Sequence, residues 1–353
     1  MGTEAARTVE AGRVAFDAHT WTEAFHCLRL AGPLAPDDLE RLAVAAHLIG
    51  RDAESAAAWE AAALAWWESG YVHRGTACAF WLAVDLLLHG EHGRSQAWMT
   101  RARRILDQSG VAGPGPGFLL AHAGLVHYIG GEPTDAAGEF AEAERIGRGF
   151  DDRDLVMFAQ TGLGESLVQS GSMVEGIAVL DEAMLAASQP SVSPINVGLA
   201  YCAGLSICYD ALDMRRAREW SRGLDAWCAA QPDLVPYAGQ CLVHRSQVLQ
   251  ADGDWDAALE AADRATVRLS DHPAGGEAHY QQGELFRLRG DLGAAREAYR
   301  RASERGRDPQ PGLLLLRLAE GRLDARPRPS AGPWTRPRSG AAGPVCLRPR
   351  SRY

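Results

Sequence analysis

The sequence contains few residues whose type and spacing suit catalysis. It has no lysine, which excludes the phosphate-binding lysine of a Walker loop and the amine of a Schiff-base enzyme. It also has no GxSxG or HExxH motif, and no GxGxxG that follows a strand-like segment. We therefore predict that the protein is not an enzyme and uses no cofactor.

Histidines are the remaining candidates for a metal site, and their spacing does not favour one. His89 and His92, with Glu91 between them, flank a predicted turn, where we expect their side chains to face solvent. His122 and His127 are separated by about 140° around a helix and so do not share a face. We predict no metal site.

Asp85 is the one charged residue in an otherwise apolar segment, CAFWLAVDLLL. A carboxylate buried without a partner would be costly. We therefore expect Asp85 either to pair with a cation such as Arg74 or to line a groove.

These side chains must be positioned by a segment that recurs along most of the chain. A glycine or a substitute for it is followed five positions later by a small residue, nine later by a large apolar one and twelve later by alanine, as in Gly50, Ser55, Trp59 and Ala62. A repeat of about 40 residues with helical spacing is typical of stacked helix-turn-helix units. The copies, some of them degenerate, begin at His19, Gly50, Gly90, Gly131, Gly171, Leu212, Gly253 and Gly290.

The repeats predict an all-α solenoid, a right-handed superhelix of about seven to eight repeats. Proline or aspartate marks the start of many first helices, and a second helix follows the glycine. We expect first helices near residues 36–49, 75–89, 117–129, 152–170, 194–210, 236–251 and 275–289. Second helices are expected near 52–68, 92–108, 133–148, 173–187, 213–229, 255–270 and 292–305. The tryptophans assigned to packing between repeats are Trp59, Trp66, Trp81, Trp98, Trp220 and Trp255.

The chain is predicted to consist of a repeat domain, residues 1–325, and a tail, residues 326–353. The tail holds six prolines, seven arginines and no acid, a composition that predicts disorder. One interpretation is an inert basic tail. The interpretation that we favour is a reading frame lost near residue 325, because a repeat array should end in a capping helix.

Three stretches of the repeat domain resemble the tetratricopeptide-like region of actinobacterial LuxR-family transcriptional regulators. They are RLAVAAHLIGRDAESAAAWEAA, QPDLVPYAGQCLVHRSQVLQADGDWDAALEAA and HYQQGELFRLRGDLGAAREAYRRASERGRDPQPGLLLLRLAEGRLDA. The resemblance covers about residues 10–325 and implies a sensory or protein-interaction domain. In that family a C-terminal helix-turn-helix binds DNA, and no segment like its LTxREVEVL and TVxxHVxxI helices follows the repeats here. We therefore predict no sequence-specific nucleic-acid binding by this acidic chain.

In such solenoids the first helices line the concave face, where polar and aromatic side chains meet a ligand. We predict that this face binds a protein or peptide partner, or a small signal molecule. The candidate binding residues are Asn196, Tyr201, Tyr209, Gln240, His244, Gln247, Tyr280, Gln281 and Glu284. The alternative is a free-standing tetratricopeptide scaffold or adaptor.

Cysteine usage and hydropathy suggest the location of the protein. The seven cysteines include no CxxC pair, and the N-terminus lacks the pattern of a signal peptide. No apolar run approaches the roughly 18 residues of a membrane span. We expect a cytoplasmic protein with reduced thiols that does not engage a membrane.

Overall fold

The structure, a computed structural model, describes residues 2–187, 192–231, 233–270, 272 and 274–321. Within these residues every regular element is an α-helix. The helices are α1 (Gly2–Asp17), α2 (Trp21–Leu30), α3 (Pro36–Leu48), α4 (Asp52–Glu68), α5 (Val72–Leu88), α6 (His92–Ser109), α7 (Gly115–Gly130), α8 (Pro133–Gly149), α9 (Arg153–Gln169), α10 (Met173–Ala187), α11 (Pro194–Asp210), α12 (Met214–Ala229), α13 (Pro236–Asp252), α14 (Trp255–Arg268), α15 (Gly275–Leu288), α16 (Leu292–Glu304) and α17 (Gly312–Ala319).

Helices α1 to α16 form eight successive pairs, each with a first helix and a second helix in contact. The first helices also contact the first helices of neighbouring repeats, which places them on the inner side of the array. Helix α17 then packs on α15 and α16. This arrangement confirms the predicted all-α solenoid of stacked repeats.

The fourteen predicted helix ranges agree closely with α3 to α16, with one clear difference at α5, and no range was predicted for α1, α2 or α17. This helix begins at Val72 rather than at residue 75. Gly70 adopts a left-handed conformation with φ 81° and ends the α4 region. The chain therefore reverses direction in the short turn at Gly70. Because no proline marks the start of α5, the sequence had suggested a later start.

The glycine that opens each copy of the repeat lies in the left-handed region of backbone space. Gly50 has φ 73° and Gly290 has φ 82°, a conformation that costs a residue with a side chain about 1–2 kcal/mol. His19 and Leu212, which replace this glycine in two copies, adopt the same conformation, with φ 58° and 57°. The glycine recurs because the turn between the two helices requires this backbone angle.

The small residue five positions after the turn lies where the two helices of a repeat are in close contact. The Ser55 hydroxyl donates a hydrogen bond to the Ala43 carbonyl at 2.9 Å, and an equivalent bond is formed by Ser95. At Gly176, a Cβ would lie 2.6 Å from the Gly164 carbonyl oxygen, closer than a side chain tolerates. The period of the sequence therefore reflects a steric limit on how closely the helices pack.

Five of the six tryptophans predicted to pack between repeats contribute to the packed interior, and Trp255 does not. The five are Trp59, Trp66, Trp81, Trp98 and Trp220. Trp59 and Trp81, from adjacent repeats, stack with ring centroids 6.5 Å apart. Trp255 is 38% exposed; it is the first residue of α14, directly after the turn, and its indole NH donates to the Gln250 carbonyl of the same repeat at 3.3 Å.

The array curves so far that its beginning contacts its sixth and seventh repeats. The backbone NH of Val235 donates to the Leu48 carbonyl at 2.9 Å. The indole NH of Trp21, a fully buried side chain, donates to the Gln231 side chain at 3.2 Å. One hydrophobic core extends from the first repeat into α13. The curvature therefore encloses an inner groove between parts of the chain that are 190 residues apart.

Some expectations lie beyond the described residues. The predicted boundary at residue 325 and the predicted tail, 326–353, are outside them, as is Cys346. The six described cysteines are free thiols. None of the described helices combines the length and the apolar character that a membrane crossing needs. The cytoplasmic location stays a prediction.

His122 and His127 lie in different environments, as their helical spacing predicts. His122 is buried, and its Nε2 lies 2.8 Å from the hydroxyl of Ser95 in the preceding repeat. His127 contacts Glu132 at the surface, with 2.7 Å between Nδ1 and the carboxylate. Burial lowers the pKa of His122 to about 4, so the ring is neutral in the folded protein at pH 7.

We expect acidification to destabilise the fold partly through His122. As pH falls from 6.5 towards 4, the unfolded chain binds a proton at this histidine and the folded chain does not. This difference should remove about 2 kcal/mol of stability between pH 7.5 and 5. Urea unfolding at both pH values should show that His122→Gln loses about 2 kcal/mol less than the wild type. Equal losses in the two proteins would contradict this assignment.

Leu212 offers a test of the turn requirement. Its side chain is 79% exposed, so replacing it removes little packing. We expect Leu212→Gly to raise the free energy of unfolding by up to about 1 kcal/mol, because relief of backbone strain exceeds the added entropy of the unfolded chain. The opposite change at an equivalent turn, Gly290→Leu, should lower it by about 1–2 kcal/mol. Thermal unfolding measures both changes, and destabilisation by Leu212→Gly would show that this side chain contributes packing after all.

Candidate functional site

Two adjoining pockets on the inner face of the array form a groove. The first, here named the amide pocket, encloses about 610 Å³, part of it open to solvent. It is lined by Val84, Leu88, Leu125, Phe140, Phe158, Thr161, Gly162, Glu165, Asn196, Leu199, Cys202, Ala203 and Gln240. Val84, Leu88 and Leu199 also line the second pocket, so the two pockets adjoin each other.

Asn196 is fixed in the amide pocket by a network that joins α9 and α11. Its Nδ2 donates to the Asp154 carboxylate at 2.8 Å and to the Asp154 carbonyl at 3.1 Å. The same carboxylate accepts the backbone NH of Ser193 at 2.7 Å. Burial raises the pKa of Asp154, whereas these hydrogen bonds act in the opposite direction. The network holds the Asn196 side chain in one orientation.

The other end of the Asn196 side chain is left without a partner. Asn196 is 1% exposed, and its Oδ1 has no hydrogen-bond partner in the described part of the chain. A buried polar atom in this state costs about 1–3 kcal/mol. An NH group of a ligand in the amide pocket would satisfy this oxygen.

Gln240 brings a second amide to the same pocket from α13. Its Oε1 accepts a hydrogen bond from the Cys202 thiol at 2.9 Å. Both side chains are buried and line the pocket. Two amides therefore lie in a lining that is otherwise mostly apolar.

A glycine in α9 shapes the apolar side of the amide pocket. A Cβ on Gly162 would lie 2.4 Å from the ring of Phe140. The absence of a side chain lets the tip of this ring approach α9, with its centroid 6.3 Å from that of the Phe158 ring. The aromatic wall of the pocket therefore depends on Gly162.

The second pocket, here named the acidic pocket, lies between the second and third repeats and the sixth and seventh repeats of the curved array. It encloses about 500 Å³, again partly open to solvent. Helices α3, α4 and α5 form one side, and α11 and α13 form the other. It is lined by His47, Asp52, Ser55, Trp59, Trp81, Val84, Asp85, Leu88, His89, Ile195, Leu199 and Tyr237.

Asp85 lines the acidic pocket, and its predicted pairing with Arg74 is wrong. The two residues are separated by three turns of α5, about 16 Å along the helix. Arg74 instead donates to Asp37 at 2.7 Å and to Glu40 at 3.0 Å. The other expectation, that Asp85 lines a groove, is confirmed. Burial raises the pKa of Asp85 to about 6, so the side chain is mostly ionised at pH 7.

His89 does not face solvent as the sequence predicted. Its side chain is 23% exposed and lies between two carboxylates, 3.4 Å from Asp85 and 3.9 Å from Asp52. His89 caps the C-terminus of α5, and the left-handed turn at Gly90 leaves its ring on the inner side. His92, by contrast, is exposed as predicted.

His47 on α3 and Tyr237 on α13 line the acidic pocket from opposite sides. The Nε2 of His47 lies 3.3 Å from the Tyr237 hydroxyl, and that hydroxyl donates to the Ile195 carbonyl at 3.2 Å. Burial lowers the pKa of His47 to about 4. The histidine is therefore neutral at pH 7 and adds no positive charge to the pocket.

The structure brings Asn196 and Gln240 together and places the other seven predicted binding residues elsewhere on the first helices. These seven, which do not line either pocket, are Tyr201, Tyr209, His244, Gln247, Tyr280, Gln281 and Glu284. His244 contacts Gln247 at 3.2 Å within α13. Gln281 donates to the side chain of Gln250 at 2.7 Å and so joins α15 to α13.

Tyr280 and Glu284 have contacts that hold the last described helix in place. The Tyr280 hydroxyl accepts the backbone NH of Gly312, the first residue of α17, at 3.3 Å. Glu284 accepts hydrogen bonds from Tyr299 at 2.5 Å and from Arg287 at 2.6 Å. These contacts give both residues a role in stabilising the end of the array.

Sequence reasoning missed most of the acidic pocket. Asp52, Ile195 and Tyr237 had no pattern that singled them out, and Trp59 and Trp81 were assigned to packing alone. Their common location depends on the curvature of the array. The one available signal was a carboxylate in an apolar helix, Asp85.

One group of side chains with metal-ligand atoms lies outside the groove. The ligand atoms of His127, Glu132 and Asp135 are within 4.8 Å of one another among the described residues. Glu132 and Asp135 are exposed. The arrangement does not differ from an ordinary surface ion pair, so it supports no metal site.

Comparisons with known proteins support a tetratricopeptide-like fold. A family model described as tetratricopeptide repeat matches residues 245–310. The chain is similar to a Rap protein crystallised in complex with competence and sporulation factor, at 14% identity with a TM-score of 0.54, over 90% of each chain. It is also similar to a signal-transduction ATPase with a tetratricopeptide repeat sensor from Pyrococcus horikoshii, at 13% identity with a TM-score of 0.48, over 86% of this chain and 54% of that one. A search of curated protein sequences gave no match.

Because Asn196 contacts Asp154, a negative charge added at position 196 should strongly destabilise the fold. Asn196→Asp would place a second acid beside a buried carboxylate and remove a donor. We expect it to lower the free energy of unfolding at pH 7 by about 3 kcal/mol, with partial recovery at pH 5, where the two acids share a proton. Urea unfolding at both pH values measures this effect.

A swapped pair provides the control for this prediction. The double variant Asn196→Asp with Asp154→Asn again places one amide beside one carboxylate and should regain much of the lost stability. If the single variant is as stable as the wild type at pH 7, the two side chains are not in contact in solution.

Proposed function

We propose that the chain is the sensory or protein-interaction domain of a LuxR-type transcriptional regulator and that it binds an extended peptide segment in the inner groove. The resemblance of the repeat domain to that family supports the regulatory context. The tetratricopeptide-like fold supports a protein or peptide partner. The Rap protein of similar fold is complexed with competence and sporulation factor, which supports a ligand for this chain as well.

The observation that carries the proposal is the unsatisfied oxygen of Asn196 inside the amide pocket. A peptide backbone offers NH and carbonyl groups at regular intervals, and a side-chain amide can pair with either. The apolar walls formed by Phe140, Phe158 and Leu125 would bury side chains of the same segment. We propose Asn196 and Gln240 as the residues that hold the peptide backbone, and the other predicted binding residues as a secondary surface along α11, α13 and α15.

A free-standing scaffold is the alternative, and it would use the same groove. The two proposals differ in what the coding DNA contains beyond the codon for Tyr353. A helix-turn-helix encoded there in any frame supports the regulator, and its absence supports the scaffold. In either case we propose that this chain does not bind DNA sequence-specifically, because its net charge is −9.

Filling the groove with a larger side chain should weaken peptide binding. Leu199 is half-buried and lines both pockets, so Leu199→Trp would fill the space between them. A pool of random, end-blocked hexapeptides is incubated with the full chain, and the retained peptides are identified by mass spectrometry. We expect the wild type to enrich a subset of the pool and Leu199→Trp to retain about tenfold less of that subset, which corresponds to roughly 1.4 kcal/mol.

Val174→Trp serves as a matched control, since Val174 is 84% exposed and lies outside the groove. It should bind the same subset as the wild type. If Leu199→Trp folds, as judged by circular dichroism, and retains the peptides unchanged, the groove is not the binding site. If the wild type enriches no peptide, the peptide proposal fails and a small signal molecule becomes the leading candidate.

A further inference from the structure

The acidic pocket combines two carboxylates with three aromatic rings. The side chains of Asp52 and Asp85 line it and are 28% and 20% exposed. The rings belong to Trp59, Trp81 and Tyr237. Carboxylates attract a cation by charge, and the faces of aromatic rings attract one within about 6 Å of the ring centre. This set of side chains suits an organic cation.

The chain supplies no fixed positive charge to neutralise these carboxylates. No arginine is among the described residues that line the pocket, and the sequence has no lysine. Three histidines face the acids, of which His89 lies within 4 Å of both. Burial lowers the pKa of His47 to about 4 and also lowers that of His272. At neutral pH these two rings are uncharged.

We propose that the acidic pocket binds the cationic side chain of an arginine or lysine in the peptide that occupies the groove. This inference rests on the proposed function and adds the specificity of the bound peptide. The cationic group lies in the pocket beside the carboxylates of Asp52 and Asp85, which also flank the His89 ring, and the aliphatic part of its side chain packs on Trp59 and Trp81.

The adjacency of the two pockets favours a peptide side chain over a free organic cation. Val84, Leu88 and Leu199 separate the amide pocket from the acidic pocket and belong to both. A segment held by Asn196 in the first pocket therefore lies beside the entrance to the second. The unsatisfied oxygen of Asn196 is independent evidence for an occupant at this point of the groove.

The preference for a basic residue should depend on pH. Asp85 has its pKa raised to about 6 by burial, so it gains a proton between pH 7.5 and 5, and the pocket loses negative charge. The groups that face it are Asp52 on α4, His47 on α3, His89 at the end of α5 and Glu91 in the following turn. Binding of a basic peptide should therefore weaken several-fold on acidification.

The test uses end-blocked hexapeptide pools that differ at one fixed position. That position is arginine, lysine, citrulline, norleucine or glutamate, and the others are random. Citrulline has the shape of arginine without its charge. We expect the full chain at pH 7.5 to retain the arginine and lysine pools about tenfold more than the citrulline and norleucine pools, and the glutamate pool least.

Three variants distinguish direct contact of the peptide's basic side chain with the two aspartates from a general attraction of the peptide by negative charge on the protein. Asp85→Asn keeps the size of the side chain and should abolish the preference for basic pools while leaving the neutral pools bound; Asp52→Asn should reduce it. Glu91→Gln removes the same charge from a nearby exposed residue that does not line the pocket and should keep the preference. Circular dichroism confirms that each variant is folded.

The outcomes distinguish this inference from the proposed function. Pools that bind without a preference for basic residues overturn the inference and leave the peptide groove intact. A preference that survives in Asp85→Asn and Asp52→Asn also overturns it. If n-butylguanidinium alone binds as tightly as the arginine pool, the pocket takes a free organic cation and the peptide assignment is wrong. If no pool binds, both proposals fail.

Discussion

The structure depends on the close approach of the two helices within each repeat. Alanine, serine or glycine at the contact lets the backbones come together, and at Gly176 a single added carbon would collide with the carbonyl of Gly164. The turn that precedes this contact requires a left-handed residue, which glycine supplies without strain. These two local constraints set the shape of one repeat, and stacking repeats of this shape buries a core along the whole array.

The curvature that follows from stacking decides where the groove lies. Small rotations between repeats accumulate until α2 and α3 meet the connection before α13, where Val235 bonds to Leu48 and Gln231 to Trp21. The acidic pocket then has walls from both sides of the curve. A ligand that touches both walls binds the closed array in preference to an opened one, and so stabilises the closure.

The two pockets of the groove differ in the hydrogen bonding and charge of their polar side chains. In the amide pocket, Asn196 is oriented by Asp154 and retains one unsatisfied oxygen. In the acidic pocket, Asp85 remains partly exposed and keeps its charge at pH 7 despite a raised pKa. The first arrangement suits hydrogen bonding to a backbone, and the second suits a positive charge. Their adjacency gives a single ligand both kinds of contact.

The repeat, most helices and most buried positions follow from the sequence alone, because each depends on contacts within about 40 residues. It also indicated Asn196 and Gln240 as inner-face residues, since their helices were recognisable. The place of Asp85 in a pocket shared with Tyr237 follows from the tertiary structure alone. Periodicity defines which side of a helix is buried, but it does not give the rotation between repeats. That rotation, summed over the array, brings His47 to within 3.3 Å of a hydroxyl 190 residues away.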